Sequence, residues 1–357
     1  MTISTFNKNV LKLIEGNFSG EKTLEALNIY SKKLIEKDLP IILSNEHLFT
    51  FLGYPSSVIN NIIYSTEKFY RTFYIPKKNN RGLRKINAPN SILLEIQKKI
   101  QVEILSKISI HKKALGYVNG KTIKDNAIAH LCNPEILKVD IKDFFPSVNF
   151  KRVINVFIKM GYTRDISFSL ARLCTLHNCL PQGAPTSPSL SNIILIRMDI
   201  RLENASNKLD VIYSRYADDL TFSSSDISLS FLNYVKSIIV SEGFQINLKK
   251  LRILKKTHKK IITGISITND TLKVPREKKR YLRQKIYFIK KYGLINCLDH
   301  LDIFDPILLE KLLGYAYYWN FIEDCEASRM AIQSLKSELH KLKLNTAFLK
   351  YNLNFIK

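Results

Sequence analysis

The stretch VIYSRYADDLTFSS, residues 211–224, constrains the chain more than any other. Two runs rich in β-branched and aromatic residues flank Asp218 and Asp219, the pattern of two strands joined at a tight tip. Adjacent carboxylates repel, and burial makes each ion costly unless positive charge stands between them. The simplest reading is a solvated turn, because Asp is a good turn residue. The sharper one is a divalent-metal site, and the rest of the chain has to decide.

Two other segments bear on that choice. KVDIKDFFPSV (138–148) puts Asp140 at the end of a strand, followed by Asp143, Phe144 and Phe145. LPQGAPTSPSLSN (180–192) is a loop stiffened by Pro and Gly that leads into a helix. One aspartate on a strand and two on a neighbouring hairpin tip supply hard oxygen ligands from two directions, as two Mg²⁺ ions bridging substrate phosphates require. At a spacing of a few ångströms, carboxylate repulsion is on the order of several kcal/mol at intermediate dielectric, and bound cations relieve it.

Composition points to a polyanionic partner. The 357 residues are 45% apolar, enough for a sizeable core and two or three subdomains. Lys and Arg number 55 against 31 Asp and Glu, a net charge of +24, which favours nucleic acid over a merely soluble basic protein. Residues 249–260 carry seven Lys/Arg and no acid; 273–291 carry nine against one Glu, with three aromatics among them. Such a mixture neutralises phosphates while packing on sugars or bases, although a solvated helix face has the same composition. The five cysteines form no CxxC pair, which argues for a reducing compartment and against structural zinc. Neither a charged-then-apolar leader nor a run of eighteen apolar residues is present, so the expectation is a cytoplasmic protein off the membrane.

Periodicity gives the coarse organisation. Residues 1–60 read as short helices and 69–89 as two strands around a basic turn. A helix follows with Ile92, Leu93, Ile96, Ile100, Ile104 and Leu105 on one face. Beyond the 135–141 strand come helices near 151–160, 165–177 and 187–206, the acid hairpin, a helix near 228–241, strands within 244–274 and a helical C-terminal part. This is an α+β series, not an alternating parallel one.

YADD at 216–219, DIKDFF at 140–145 and LPQGAPTSP at 180–188, in that order and spacing, resemble the catalytic motifs of reverse transcriptases over roughly residues 40–320. The resemblance implies a right-hand polymerase fold with fingers, an antiparallel palm sheet and a helical thumb. Its expected parts are an N-terminal helical extension (1–40), fingers (41–135), palm (136–270, with a finger segment around 150–190) and a basic helical thumb and RNA-binding part (271–357). It makes Asp140, Asp218 and Asp219 the catalytic ligands of two Mg²⁺ ions, joined by the Ile141 carbonyl. Phe145 falls where the family places a bulky side chain beneath the sugar, with core packing as the alternative. Asp143, Phe144, Gln182 and Gly183 would line the nucleotide pocket, and Tyr216 would support the primer end. Arg84 and Lys77 resemble the pair that clamps the triphosphate, with Lys78 or Arg81 as substitutes for Lys77.

NAIAH at 126–130 is similar to the NAxxH signature of retron reverse transcriptases, and ITG at 262–264 to their VTG. By resemblance, Asn126, His130, Thr263 and Gly264 would touch template RNA, and Lys278, Lys279, Arg280 and Arg283 the primer–template. A lone His near a helix is otherwise a structural histidine. The implied partners are dNTPs, a cognate non-coding RNA, its RNA-linked DNA product (msDNA) and an effector encoded nearby in a bacterial anti-phage system. The aromatics of LLGYAYYWNF (312–321) are expected in the core, and the first 40 residues either dock a partner or cover the fingers. The alternatives are a group II intron-like or abortive-infection enzyme, in which little room is left for a maturase region, and a non-catalytic RNA-binding scaffold.

Overall fold

Apolar residues three and four apart fold the N-terminal region into four helices: α1 (Ile3–Asn17), α2 (Glu21–Ile35), α3 (Asn45–Leu52) and α4 (Ser56–Tyr64). The computed structural model describes residues 3–17, 21–77, 82–268, 270–294, 305 and 307–353, with the helix path alone over 343–353. Phe6, Val10 and Ile14 of α1 enter the main core, and the Asn7 side chain bonds the Leu39 carbonyl and the Ile41 N–H. The N-terminal extension therefore packs into the fold. Each such buried apolar side chain contributes about 1.5–3 kcal/mol.

Strands β1 (Tyr70–Pro76) and β2 (Leu83–Pro89) pair antiparallel, Tyr70 opposite Pro89 and Pro76 opposite Leu83. The middle of the chain runs α5 (Ser91–Glu103), α6 (Ile123–Ile128), β3 (Glu135–Asp140), α7 (Phe144–Ser147), α8 (Phe150–Met160), α9 (Arg164–Cys174) and α10 (Thr186–Asn207). After it come β4 (Ile212–Tyr216), β5 (Asp219–Ser224), α11 (Leu229–Ser241), β6 (Arg252–Leu254), β7 (Lys260–Ile262), β8 (Ile265–Thr268) and β9 (Thr271–Lys273). Three helices follow: α12 (Arg276–Tyr292), α13 (Leu308–Glu323) and α14 (Glu326–Leu353). The helix expected over 165–177 stops early. Leu176 and Cys179 bridge around His177 and Asn178, both at positive φ, a tight turn that the helical pattern hid.

The α+β expectation holds. One sheet has the order β4-β5-β3-β6, a second is the β1-β2 ribbon and a third is β7-β8-β9. The chain divides into a larger unit, Met1–Lys121 with Leu137–Ile253, and a smaller one, Thr122–Ile136 with Leu254–Lys357. The smaller unit joins a short segment leading into β3 to the C-terminal part. Side chains explain it: Thr263 Oγ1 donates to the Ile123 carbonyl, Lys260 to the Asn133 carbonyl, and Lys255 pairs with Glu135. Among the described residues, no helix is long and apolar enough to cross a membrane.

Candidate active site

The end of β3 lies between the acid hairpin and the segment after α11. The Ile141 N–H donates to the Asp218 carbonyl at 3.0 Å, while Asn247 N–H donates to the Asp140 carbonyl at 2.8 Å on the other side. In an extended residue N–H and C=O point the same way, so the Ile141 carbonyl also faces the hairpin. Asp140, Asp218 and Asp219 are thus brought onto neighbouring chain segments, as the motifs implied.

Their side chains are spoken for by lysines. Asp140 Oδ2 lies 2.7 Å from Lys250 Nζ, and its Oδ1 accepts from Asn247 Nδ2 at 3.1 Å. Asp219 Oδ2 lies 3.2 Å from Lys138 Nζ. Desolvation pushes both Asp218 and Asp219 above the ordinary carboxylate range. At Asp218 the charge of Asp140 adds to the push; at Asp219 Lys138 opposes it. Among the described residues, no three His, Cys, Asp or Glu side chains converge as a ready metal cluster. Asp140 and Asp219 each pair with a lysine, while the charge of Asp140 reaches both hairpin acids. As a donor set, carboxylate oxygens, those of Asp218 and Asp219 destabilised by burial and by the charge of Asp140, suit a hard divalent cation.

A buried polar network holds the hairpin tip. Tyr216 pairs with Asp219, leaving a two-residue turn in which Ala217 has φ +59°, a conformation that costs a non-glycine residue about 1–2 kcal/mol. Arg215, fully buried, donates from Nε and Nη2 to the two oxygens of Asp199 at 2.8 and 2.7 Å. Its Nη1 donates to Asn192 Oδ1 at 2.9 Å and to the Ala217 carbonyl at 3.2 Å. Asn192 Nδ2 in turn donates to the Gly116 carbonyl at 2.9 Å. Gly116 has to be glycine, since a Cβ there would stand 2.5 Å from the Ala217 nitrogen.

The expected nucleotide residues all belong to the larger unit. Phe144 is buried and Phe145 half-buried, their ring centroids 5.2 Å apart. Asp143 is exposed at φ +46° ahead of α7. The Gln182 carbonyl accepts from Asn87 N–H at 2.8 Å, and a Cβ on Gly183 would lie 2.7 Å from the Asn87 carbonyl oxygen, so this loop lies flat on β2. Arg84 sits opposite Ile75, and Lys77 lies two residues beyond Ile75, which puts both cations on one face of the ribbon. Lys78 and Arg81 lie outside the described residues. Tyr216 is half-buried against the core.

Every residue expected to touch RNA or primer–template, apart from Tyr216, belongs to the smaller unit. Asn126 and His130 are fully buried there, so direct surface contact does not fit them; they shape the unit from inside. Thr263 and Gly264 form the β7–β8 turn at positive φ, and the Gly264 carbonyl accepts from the Tyr318 hydroxyl at 3.1 Å. Lys278 lies over the Tyr318 ring at 5.0 Å and Arg283 over Trp319 at 5.0 Å. Lys279 is committed to Glu323, 2.9 Å away, whereas Arg280 is exposed on α12. The aromatics of α13 divide: Trp319 is buried, but Tyr315, Tyr317 and Phe321 are between 45% and 48% exposed, contrary to the core expectation.

Sequence reasoning missed Lys138, Lys250, Asn247, Gly116, Tyr117 and the Arg215 network. Lys138 carried a signal, two residues before Asp140 and so on the same strand face. Nothing in the sequence singled out Gly116 or Asn192.

Residues 75–282 match the family described as reverse transcriptase (RNA-dependent DNA polymerase). The chain is 33% identical over 271 residues to the retron Ec86 reverse transcriptase of Escherichia coli, covering 75% of this chain and 84% of that protein. It is 33% identical to the retron Mx65 reverse transcriptase of Myxococcus xanthus (71% and 65% covered) and 32% identical to the retron Ec83 reverse transcriptase of Escherichia coli (70% and 82%). Among solved structures, a telomerase from Candida albicans in complex with a fragment of telomeric RNA matches at a TM-score of 0.42 and 12% identity, covering 78% of this chain and 63% of that one. That likeness is too distant to bear on the site.

Proposed function

The chain belongs to the reverse transcriptase family and to its bacterial retron enzymes, and from that membership we propose that it copies part of a cognate structured RNA from an internal guanosine 2′-hydroxyl, leaving msDNA, a branched RNA-linked single-stranded DNA. It is an RNA-directed DNA polymerase with the α+β fold of that family, acting on an RNA template and dNTPs. Membership sets aside the non-catalytic scaffold, and the retron relatives set aside the intron-like enzyme. The family uses divalent metal; the ions we assign are two Mg²⁺, held by Asp140, Asp218, Asp219 and the Ile141 carbonyl. When bound they supply a more acidic primer hydroxyl and neutralise phosphate charge.

The remaining roles fall to this chain's own groups. Arg84 binds the triphosphate as a fork and Lys77 as a point charge from the same ribbon face. Phe145, backed by Phe144, lies against the sugar and excludes a 2′-hydroxyl. Asp143, Gln182 and Gly183 border the nucleotide, and Tyr216 supports the primer end. Lys138 and Lys250 keep the carboxylates oriented. The α12 cations Lys278, Arg280 and Arg283, with the Thr263–Gly264 turn, meet the RNA and its DNA product, while Asn126 and His130 set the shape of that surface. We assign residues 41–135 to fingers, 136–270 to palm and 271–357 to thumb, and the setting to the bacterial cytoplasm. An effector partner and an anti-phage role rest on the family alone.

The observation that carries the reading is the Ile141–Asp218 hydrogen bond, which joins the first aspartate's strand to the acid pair. The test is Asp218→Asn with Asp219→Asn in protein bound to its own RNA. Synthesis is expected to fall by more than about a thousandfold, with RNA affinity within about twofold. The wild-type product should carry a 2′–5′ branch that a debranching enzyme releases. Persisting synthesis refutes the site; an unbranched product refutes the priming.

A further inference from the structure

Tyr117 is a residue that neither the motifs nor the relatives' names assign. The segment before it lies along β4: Arg215 N–H donates to the Lys113 carbonyl and Leu115 N–H to the Arg215 carbonyl, both at 2.8 Å. Gly116 then presses on the Ala217 nitrogen, and Tyr117 turns out at φ +63°. A left-handed backbone under an aromatic side chain is strained. Burial does not compensate it, since Tyr117 is 48% exposed, and strain of this kind concentrates at functional sites. The buried Arg215–Asn192–Gly116 chain fixes the residue there.

Its surroundings define what it can do. The ring centroid is 6.2 Å from that of Phe145, the two planes tilted by 38°. Burial pushes the hydroxyl's pKa up, the negative charge of Asp218 adds to the push and the positive charge of Arg84 opposes it. The ring lies beside Phe145, and the preceding Gly116 abuts Ala217, the neighbour of Asp218, so Tyr117 borders both the assigned sugar position and the acid tip.

We propose that Tyr117 selects the incoming nucleotide: its ring closes the sugar pocket beside Phe145, and its hydroxyl donates a hydrogen bond to the triphosphate held by Arg84. This rests on the assignments of Arg84 and Phe145 given above. The hydroxyl and the ring act separately, so two variants separate them. Tyr117→Phe removes the bond and keeps the wall; Tyr117→Ala opens the wall.

The experiment is steady-state extension on the cognate RNA with dNTPs and with rNTPs, beside melting temperature and RNA affinity. Tyr117→Phe should raise KM for dNTPs about tenfold with kcat within about twofold and sugar preference unchanged, as expected for one hydrogen bond to a charged group. Tyr117→Ala should lower the preference for deoxy- over ribonucleotides by about tenfold or more. The proposal is overturned if both variants stay within about twofold in KM and selectivity, or if kcat and melting temperature fall together with KM unmoved, the signature of a merely structural residue. Should Tyr117→Ala fail to fold, the near-isosteric Tyr117→Phe decides by its KM. If Asp218→Asn with Asp219→Asn is inactive and both Tyr117 variants are silent, this inference alone fails; if that double variant still synthesises DNA, the underlying site reading fails instead.

Discussion

In the larger unit two acids of the trio are answered by a nearby cation, Asp140 by Lys250 and Asp219 by Lys138, as is the buried Asp199 by Arg215. In the smaller unit cations rest on aromatic rings, Lys278 on Tyr318, Arg283 on Trp319, Lys124 on Phe321 and Lys336 on Tyr317. Paired charges fix atoms in place, which chemistry at one phosphorus requires. Cations on rings, two of them the exposed Tyr317 and Phe321, suit a surface that takes up a polyanion. The two regions share a net positive chain but use it for opposite ends.

The largest effect should come from breaking the buried pair. Arg215→Met leaves Asp199 uncompensated and should cost about 3–5 kcal/mol in chemical denaturation. Adding Asp199→Leu should recover most of that stability without restoring DNA synthesis, because the Ala217 carbonyl and Asn192 still lose their anchor. Synthesis returning along with stability would reduce the network to packing.

A glycine-to-alanine exchange should have opposite signs in the two regions. At Gly116 the new Cβ meets the Ala217 backbone, so stability should fall by about 1–3 kcal/mol and synthesis with it. At Gly314, inside α13 with nothing within 4 Å of the new atom, it should gain about 0.5–1 kcal/mol. Equal effects at both sites would erase the contrast.

One acid that the smaller unit holds tightly gives a pH signature. Burial works to raise Glu323, but its bonds from Lys279 and the Val274 N–H hold it below its ordinary value of 4.5. A carboxylate depressed in the folded state lends stability above its unfolded pKa and loses it as pH falls through the folded one. Melting temperature should therefore drop as pH is lowered below that value, and Glu323→Gln should flatten the drop. The smallest effect belongs to Arg280→Gln: stability within about 0.5 kcal/mol, RNA affinity lower across sequences, and a salt slope reduced by about 1.

The contrast also marks what was legible in the sequence. Alternating apolar residues announced β4 and β5, and the position of Asp140 at a strand end was plain from EILKVDI. Lys138, two residues before Asp140, could have been placed on its face, but Lys250 could not, since a lysine in sequence carries no sign of which distant acid it will meet. Polarity misled at Asn126 and His130, which tertiary packing buries. The α13 aromatics could have been divided by helical period, because Leu312, Ala316 and Trp319 share a buried face while Tyr317 and Phe321, four apart, share an exposed one. The Arg215 network was hidden for a different reason: its partners Asn192 and Asp199 lie 23 and 16 residues away, and only the fold brings them together.

The central claim is that the end of β3 and the tip of the acid hairpin make one divalent-metal site. Replacing Mg²⁺ with Fe²⁺ and generating hydroxyl radicals at the bound ion reads this directly. Backbone cuts should cluster at 140–142 and at 216–220, and both clusters should vanish together in Asp218→Asn with Asp219→Asn. Cuts at one segment alone, or cuts that survive the double variant, would contradict it.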